Sequence, residues 1–371
     1  MKIRLIQIGL FFAGLLPAFH SAAQEFQASG MLTEEFVNAS NGVSQERTEH
    51  FEISVRDCQW FITTTPYPLN KTNWVWKIGS EGSNVIYQTT KFNEANSDSV
   101  NDSVGEIEND SVPNNVQGDV VSEIWLAYAS ACYLDSVTNN RLKPAYSLID
   151  HDWRFEDYTV KADWKRFDSP PRLPQQIIYY EDKGVGFYGG KVREFPLPPP
   201  YTNGYTRAEY DAIATTNVGG LVIPRQFSFK EYAVMQTSST NSHLMMWRVV
   251  TGWLSDAQPI CERETFIPDI TEPTYVEDDR FSKSNQPNPI AGMAYMITNG
   301  EWPSTNSPLL QKLYQHELFA EPDAVGPAPM NIRPRHVHPG QTGSKRKVVI
   351  MLVGLSLCSV IFFLVKGWRK S

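Results

Sequence analysis

The chain has 371 residues, 41 acidic against 33 basic, and a net charge of −8. Residues 24–344 keep every acidic residue but lose eight basic ones (Lys2, Arg4, Lys345, Arg346, Lys347, Lys366, Arg369 and Lys370), leaving 25 and a local charge of −16. A segment this acidic repels a phosphate backbone, which excludes nucleic acid as a partner, while ten tryptophans and 12% aromatic residues suffice to fill a sizeable core.

The N-terminus carries Lys2 and Arg4, an apolar run from Leu5 to Leu16, Pro17 and then Ser21-Ala22-Ala23. This is the order of a secretory signal peptide over 1–23, cut after Ala23. The run is too short for a first membrane span, which takes about 20 residues. Gln24 follows the cut, so no lipid-modified cysteine is expected there.

From Glu25 the chain alternates. Phe26 to Leu32, Phe36-Val37, a hairpin turn at Asn41-Gly42, and Phe51, Ile53 and Val55 at period 2 read as strands. Trp60 to Thr65, Trp74 to Ile78 and Asn84 to Thr90 extend an antiparallel meander. Residues 93–119, with Asn-Asp-Ser-Val at 101–104 and again at 109–112, read as a flexible acidic insertion. A calcium loop there lacks the required spacing and turn glycine.

Glu123 to Leu134 is apolar on nearly all sides, and periodicity leaves strand and helix open. Ile177 to Tyr180 reads as strand, and Phe195 to Tyr201 as a polyproline segment, either a rigid loop or a ligand for a proline-binding partner. Thr206-Arg207-Ala208-Glu209 has capping-box spacing and predicts a short helix ended by Asn217 and Gly219-Gly220. Strands follow at Leu221 to Ile223, Gln226 to Val234 and His243 to Trp253.

After Cys261 prolines recur, and residues 266–320 read as a Pro-rich extension with one helix over 307–320. A Pro-rich stalk spans 321–344, and the 18 uncharged residues Val348 to Val365 predict a transmembrane helix with a cytoplasmic tail at 366–371. Basic residues flank this helix equally, so the signal peptide orients it. A cleaved surface-sorting tail is the competing reading. The chain is therefore expected to be single-pass, with its bulk in the periplasm or at the cell surface.

Outside the cytoplasm Cys58, Cys132 and Cys261 allow one disulfide in three pairings with one thiol left over, or stay as three buried thiols. No Gly-x-Ser-x-Gly elbow or phosphate loop is present, and His316-Glu317 lacks the second histidine of a zinc-protease helix. No cofactor and no metal are expected, since His336 and His338 sit in the stalk as bystanders. His151, Asp152 and Asp135 are the residues a hydrolytic site would draw on, and no spacing links them. Trp60, Trp74, Trp76 and Trp125 either wall an apolar ligand or belong to the ordinary core.

Three segments carry a resemblance: Phe51-Glu52-Ile53-Ser54-Val55 with Trp60-Phe61-Ile62, Ile78-Gly79-Ser80-Glu81-Gly82-Ser83-Asn84-Val85-Ile86-Tyr87, and Gly220 to Phe229. They resemble the repeating hairpins of the bacterial lipoprotein-carrier (LolA/LolB-like) half-barrel. The resemblance implies a mainly β (α+β) fold, a curved antiparallel sheet with a few covering helices around an apolar cavity, in a β-rich domain over 24–265. Size, the acidic insertion and the C-terminal helix depart from that family, so no functional residue is carried over. The expected function is a membrane-anchored, extracytoplasmic, non-catalytic protein binding an apolar ligand (a lipid or lipoprotein segment) or a partner domain. The alternatives are a scaffold with a filled core and an anchored hydrolase.

Overall fold

A computed structural model describes residues 25–37, 44–67, 72–81, 83–93, 103–108, 112–113, 120–146, 158–188, 191–238, 241–281, 293–298, 300–308 and 310–313. The expected signal peptide over 1–23, the expected Asn41-Gly42 turn, His151-Asp152, His316-Glu317, and the stalk with His336 and His338, the transmembrane helix and the tail expected over 321–371 lie outside them. No helix among the described residues is long and apolar enough to cross a membrane. The chain divides into Met1–Ser307 and Pro308–Ser371. In the second unit, Pro308 and residues 310–313 are helical, at the start of the helix expected over 307–320.

The first unit is built on one open, curved sheet of 14 strands. Period-2 alternation produces β1 (Glu25–Val37), β2 (Ser44–Arg56), β3 (Gln59–Tyr67), β4 (Thr72–Glu81) and β5 (Asn84–Asn93), each antiparallel to the next. Phe26 and Leu32, Phe51 and Ile53, Trp60 and Ile62 bury one continuous face. β3 is buried on both sides, since Phe61 on the opposite face packs with Cys261 and Phe266.

β1 lies inside the sheet. Its other flank pairs with β14 (Asn241–Gln258), followed by β13 (Leu221–Ser238), β12 (Tyr205–Val218), β9 (Pro174–Glu181), β8 (Val160–Arg166) and β7 (Arg141–Leu142). Between β9 and β12 in the chain, β10 (Gly184–Tyr188) and β11 (Lys191–Phe195) form a separate hairpin.

Several expectations are corrected or resolved. The helix predicted after Thr206 is strand β12, paired to β9 and β13. Glu209 accepts a hydrogen bond from Tyr232 Oη across the sheet, and Gly219-Gly220, at φ 59° and 91°, is a two-residue hairpin turn. Two-sided ladder pairing outweighs a local capping pattern. The strands expected at 221–223 and 226–234 are one strand, in which Pro224 sits beside a register shift and before β14 pairing begins at Gln226.

The acidic insertion is not wholly a loop: β6 (Ser103–Glu108) lies within it, antiparallel to β5. Its Ser103 and Glu108 are buried with partners. Gln88 donates to Ser103, Ser103 and Thr274 share a 2.9 Å hydrogen bond, and Tyr87 donates to Glu108. Within the Pro-rich extension over 266–320, β15 (Thr274–Asp278) pairs parallel to β6 and β16 (Met293–Ile297) adds to β15.

The segment left open between strand and helix is helical. α1 (Val121–Tyr128) has all eight residues buried, and α2 (Ala131–Ser136) follows. Both contribute to the same core cluster as the inner sheet face. Burying Ile124, Trp125 and Leu126 stabilises the fold by roughly 2 kcal/mol each. Cys58, in the β2–β3 turn, is bonded to Cys132 of α2, and Cys261 is a buried free thiol.

The bridge closes a separation of 74 residues. Cys58→Ser with Cys132→Ser should lower unfolding stability by about 4 kcal/mol in urea titrations, with the denatured chain losing its cross-link.

Candidate functional site

Four carboxylates interrupt the apolar phase of the inner face. Glu34 follows Leu32 at period 2 on β1, and Glu49 precedes Phe51, Ile53 and Val55 on β2. Glu231 follows Phe227 and Phe229 on β13, and Glu123 opens α1. All four are at most 3% exposed.

Arg248 on β14 stands among them, 4% exposed. Its Nε lies 2.5 Å from Glu34 Oε1, and one terminal nitrogen lies 2.6 Å from Glu123 Oε1 and 2.5 Å from Glu231 Oε1. Arg47 continues the row at 2.7 Å from Glu34 and 3.0 Å from Glu49. On the other side Arg207 lies 3.2 Å from Glu181, donates to the Tyr232 carbonyl and stacks over Tyr146 at 5.0 Å. The residues come from β2, β1, β14, β13, β12 and β9, six consecutive strands of the sheet. They form a charged belt across the inner face.

Two register shifts aim the belt. Glu231 pairs with Arg248 and Tyr232 with Met246, so Trp247 is an extra residue. Thr206 pairs with Tyr180 and Ala208 with Tyr179, so Arg207 is another. Each bulge turns its side chain toward the belt, and Arg207 lies 6.0 Å from the Trp247 ring centre.

Burial sets the electrostatics. Desolvation raises Glu123 to about 7, against the opposing pull of Arg248. Desolvation likewise raises Glu49 and Glu181, with Arg47 and Arg207 pulling them back. The Arg248 guanidinium is held charged by Glu123, Glu34 and Glu231 despite its own burial.

Beyond the belt, alternation carries Phe36, Ala233, Met235 and Met245 onto the same face, all half-buried. Trp247 joins them, its ring 6.0 Å from Phe36. On the other face of this hairpin Leu244 and Met246 are exposed.

The four tryptophans singled out from sequence lie elsewhere. Trp60 on β3 and Trp125 on α1 are in the core, with Trp76 of β4 packed against it, and Trp74 is half-buried on β4. Asp135 is exposed and pairs with Arg166 at 2.6 Å. No group of histidine, cysteine and acidic side chains among the described residues is arranged to hold a metal ion.

The architecture is that of an open, curved, mainly antiparallel sheet with its helices on the inner face. No family model and no curated protein matches the sequence. Among solved structures, the chain is similar to a DUF1329 family protein from Desulfovibrio piger ATCC 29098, with 7% identity, 64% of this chain and 86% of that chain covered, and a TM-score of 0.27. It is also similar to a LolA superfamily protein from Nitrosomonas europaea, with 10% identity, 63% of this chain and 86% of that chain covered, and a TM-score of 0.27.

Replacing Arg248 by Met should cost about 3–5 kcal/mol, read by urea denaturation, because three buried carboxylates lose their common partner. A second expectation concerns pH. The folded chain holds the Glu123 proton to about 7, while the unfolded chain releases it near 4.5. The fold therefore loses stability as pH rises through that window, by up to about 3 kcal/mol for this group. Glu123→Gln should flatten the slope of stability between pH 5 and pH 7.5.

Proposed function

We propose that this chain is an exported, membrane-anchored, non-catalytic binding protein that takes an apolar ligand, a lipid or lipoprotein segment, on the inner face of its sheet beyond the charged belt. One observation carries the reading. Phe36, Met235, Met245 and Trp247 stand half-buried on the inner face of strands that run past the filled core. Part-exposed apolar surface of this kind, next to a polar row, is the usual composition of a ligand seat. The Cys58–Cys132 disulfide supports an oxidising compartment, in keeping with the signal peptide read over 1–23. Anchoring rests on the apolar run Val348 to Val365.

A scaffold without a ligand is the second reading. It is favoured by the centre of the inner face, where Trp60, Trp125 and Tyr128 pack beneath and along α1. Trp60 and Trp125 lie in the core with Trp76 packed against it, and the proposed ligand seat is at the hairpin end of the sheet.

Native mass spectrometry of the full chain, extracted in a mild non-ionic detergent, separates the two. An apolar molecule retained at fixed stoichiometry, and lost in a Met245→Glu variant, is the expected result. A single unliganded mass that incubation with lipid leaves unchanged would favour the scaffold.

A further inference from the structure

Five carboxylates (Glu34, Glu49, Glu123, Glu181 and Glu231) face three guanidiniums (Arg47, Arg207 and Arg248) along the belt. With every group ionised the row carries two negative charges beyond compensation, and Glu123, which holds its proton to about 7, reaches that state only above neutrality. Several of its polar atoms are also unsatisfied. Oε2 of Glu123 and Oε2 of Glu231 are buried without a hydrogen bond, the latter 3.8 Å from Arg207, too far to accept one. The Tyr146 hydroxyl, in a side chain 2% exposed under Arg207, and the Trp247 indole N–H are likewise without a partner among the described residues. Buried polar groups are normally hydrogen-bonded, and a buried uncompensated charge costs several kcal/mol. At Glu123 and Glu231 the spare atoms are acceptors carrying negative charge, which a positively charged donor completes; the Trp247 N–H is itself a donor and is not served by it.

The apolar strip begins where this row ends. Trp247 belongs to both, its ring lying 6.0 Å from Arg207 on one side and 6.0 Å from Phe36 on the other. We infer that belt and strip form one site for an amphipathic ligand with a cationic, hydrogen-bond-donating head, such as an ammonium group. Its head lies against Glu231 and Glu123, and its apolar chain runs along Trp247, Phe36 and Met245. An ammonium suits the belt because it is a compact charge with three donors and no acceptor. A carboxylate head brings acceptors and negative charge to a row that already has both in excess. The inference rests on the binding reading above and adds to it the chemistry of the head group.

The test uses the full chain in non-ionic detergent and three probes that share one tail: octylamine, octanol and octanoate, titrated by calorimetry at pH 7.5. Octylamine is expected to bind at least tenfold more tightly than octanol, with octanoate weakest. Glu231→Gln should remove the preference for octylamine over octanol. If the wild-type chain binds all three alike, or octanoate best, the head-group assignment is overturned while the apolar seat stands. If it binds none of them, both fall. The wild-type series decides the matter even where the Glu231→Gln chain does not fold.

Discussion

A guanidinium taken out of water needs all its donors engaged and its charge matched, and Arg248 meets both demands with carboxylates from three separate elements. Glu34 comes from β1, Glu231 from β13 and Glu123 from α1. No two of these belong to one hairpin, so the contacts can all form only when β1, β13 and β14 are in register and α1 lies on the inner face. A one-residue slip of β1 or β13 would turn its glutamate outward and leave Arg248 under-compensated. Apolar packing supplies most of the cohesion of this fold, whereas the ion cluster fixes which arrangement the packing adopts.

The cluster also sets a boundary. On one side of it the inner face is closed by α1, all of whose residues are buried. On the other, the long strands of the β13–β14 hairpin carry apolar side chains that are only half-buried. Two bulges sit on this line, at Arg207 and at Trp247. An unbroken ladder would hold these two residues to strict alternation, so the extra residue in each strand is what brings a second guanidinium and an indole to the belt.

Much of the first half of the sheet was legible because its strands obey one rule, with Phe51, Ile53 and Val55 inside and their neighbours outside. β6 was hidden because its burial rests on hydrogen bonds among Gln88, Ser103 and Thr274, and polar residues in sequence give no sign of partners far along the chain. β12 was misread because a threonine and a glutamate three residues apart satisfy a local helix signal, while the partners that make it a strand are supplied by β9 and β13. The Gly219-Gly220 pair did carry the contrary message. The belt left a trace as well: Glu34, Glu49, Glu231 and Arg248 fall on the apolar phase of their strands, where a charged residue has to find a buried partner. What no pattern in one strand can show is that these four meet.

The inner position of β1 bears on how such a chain is assembled as it is made. One flank of β1 is paired by β2, which follows at once, but the other waits for β14, more than 200 residues further along. A chain synthesised from its N-terminus delivers β1 early and its second neighbour late. Through that interval β1 presents an open row of amide and carbonyl groups beside Phe26 and Leu32, the kind of edge that recruits stray strands. The long wait for a partner makes the nascent protein a natural client for holdases, and places the closing of the central seam among the last events of its folding.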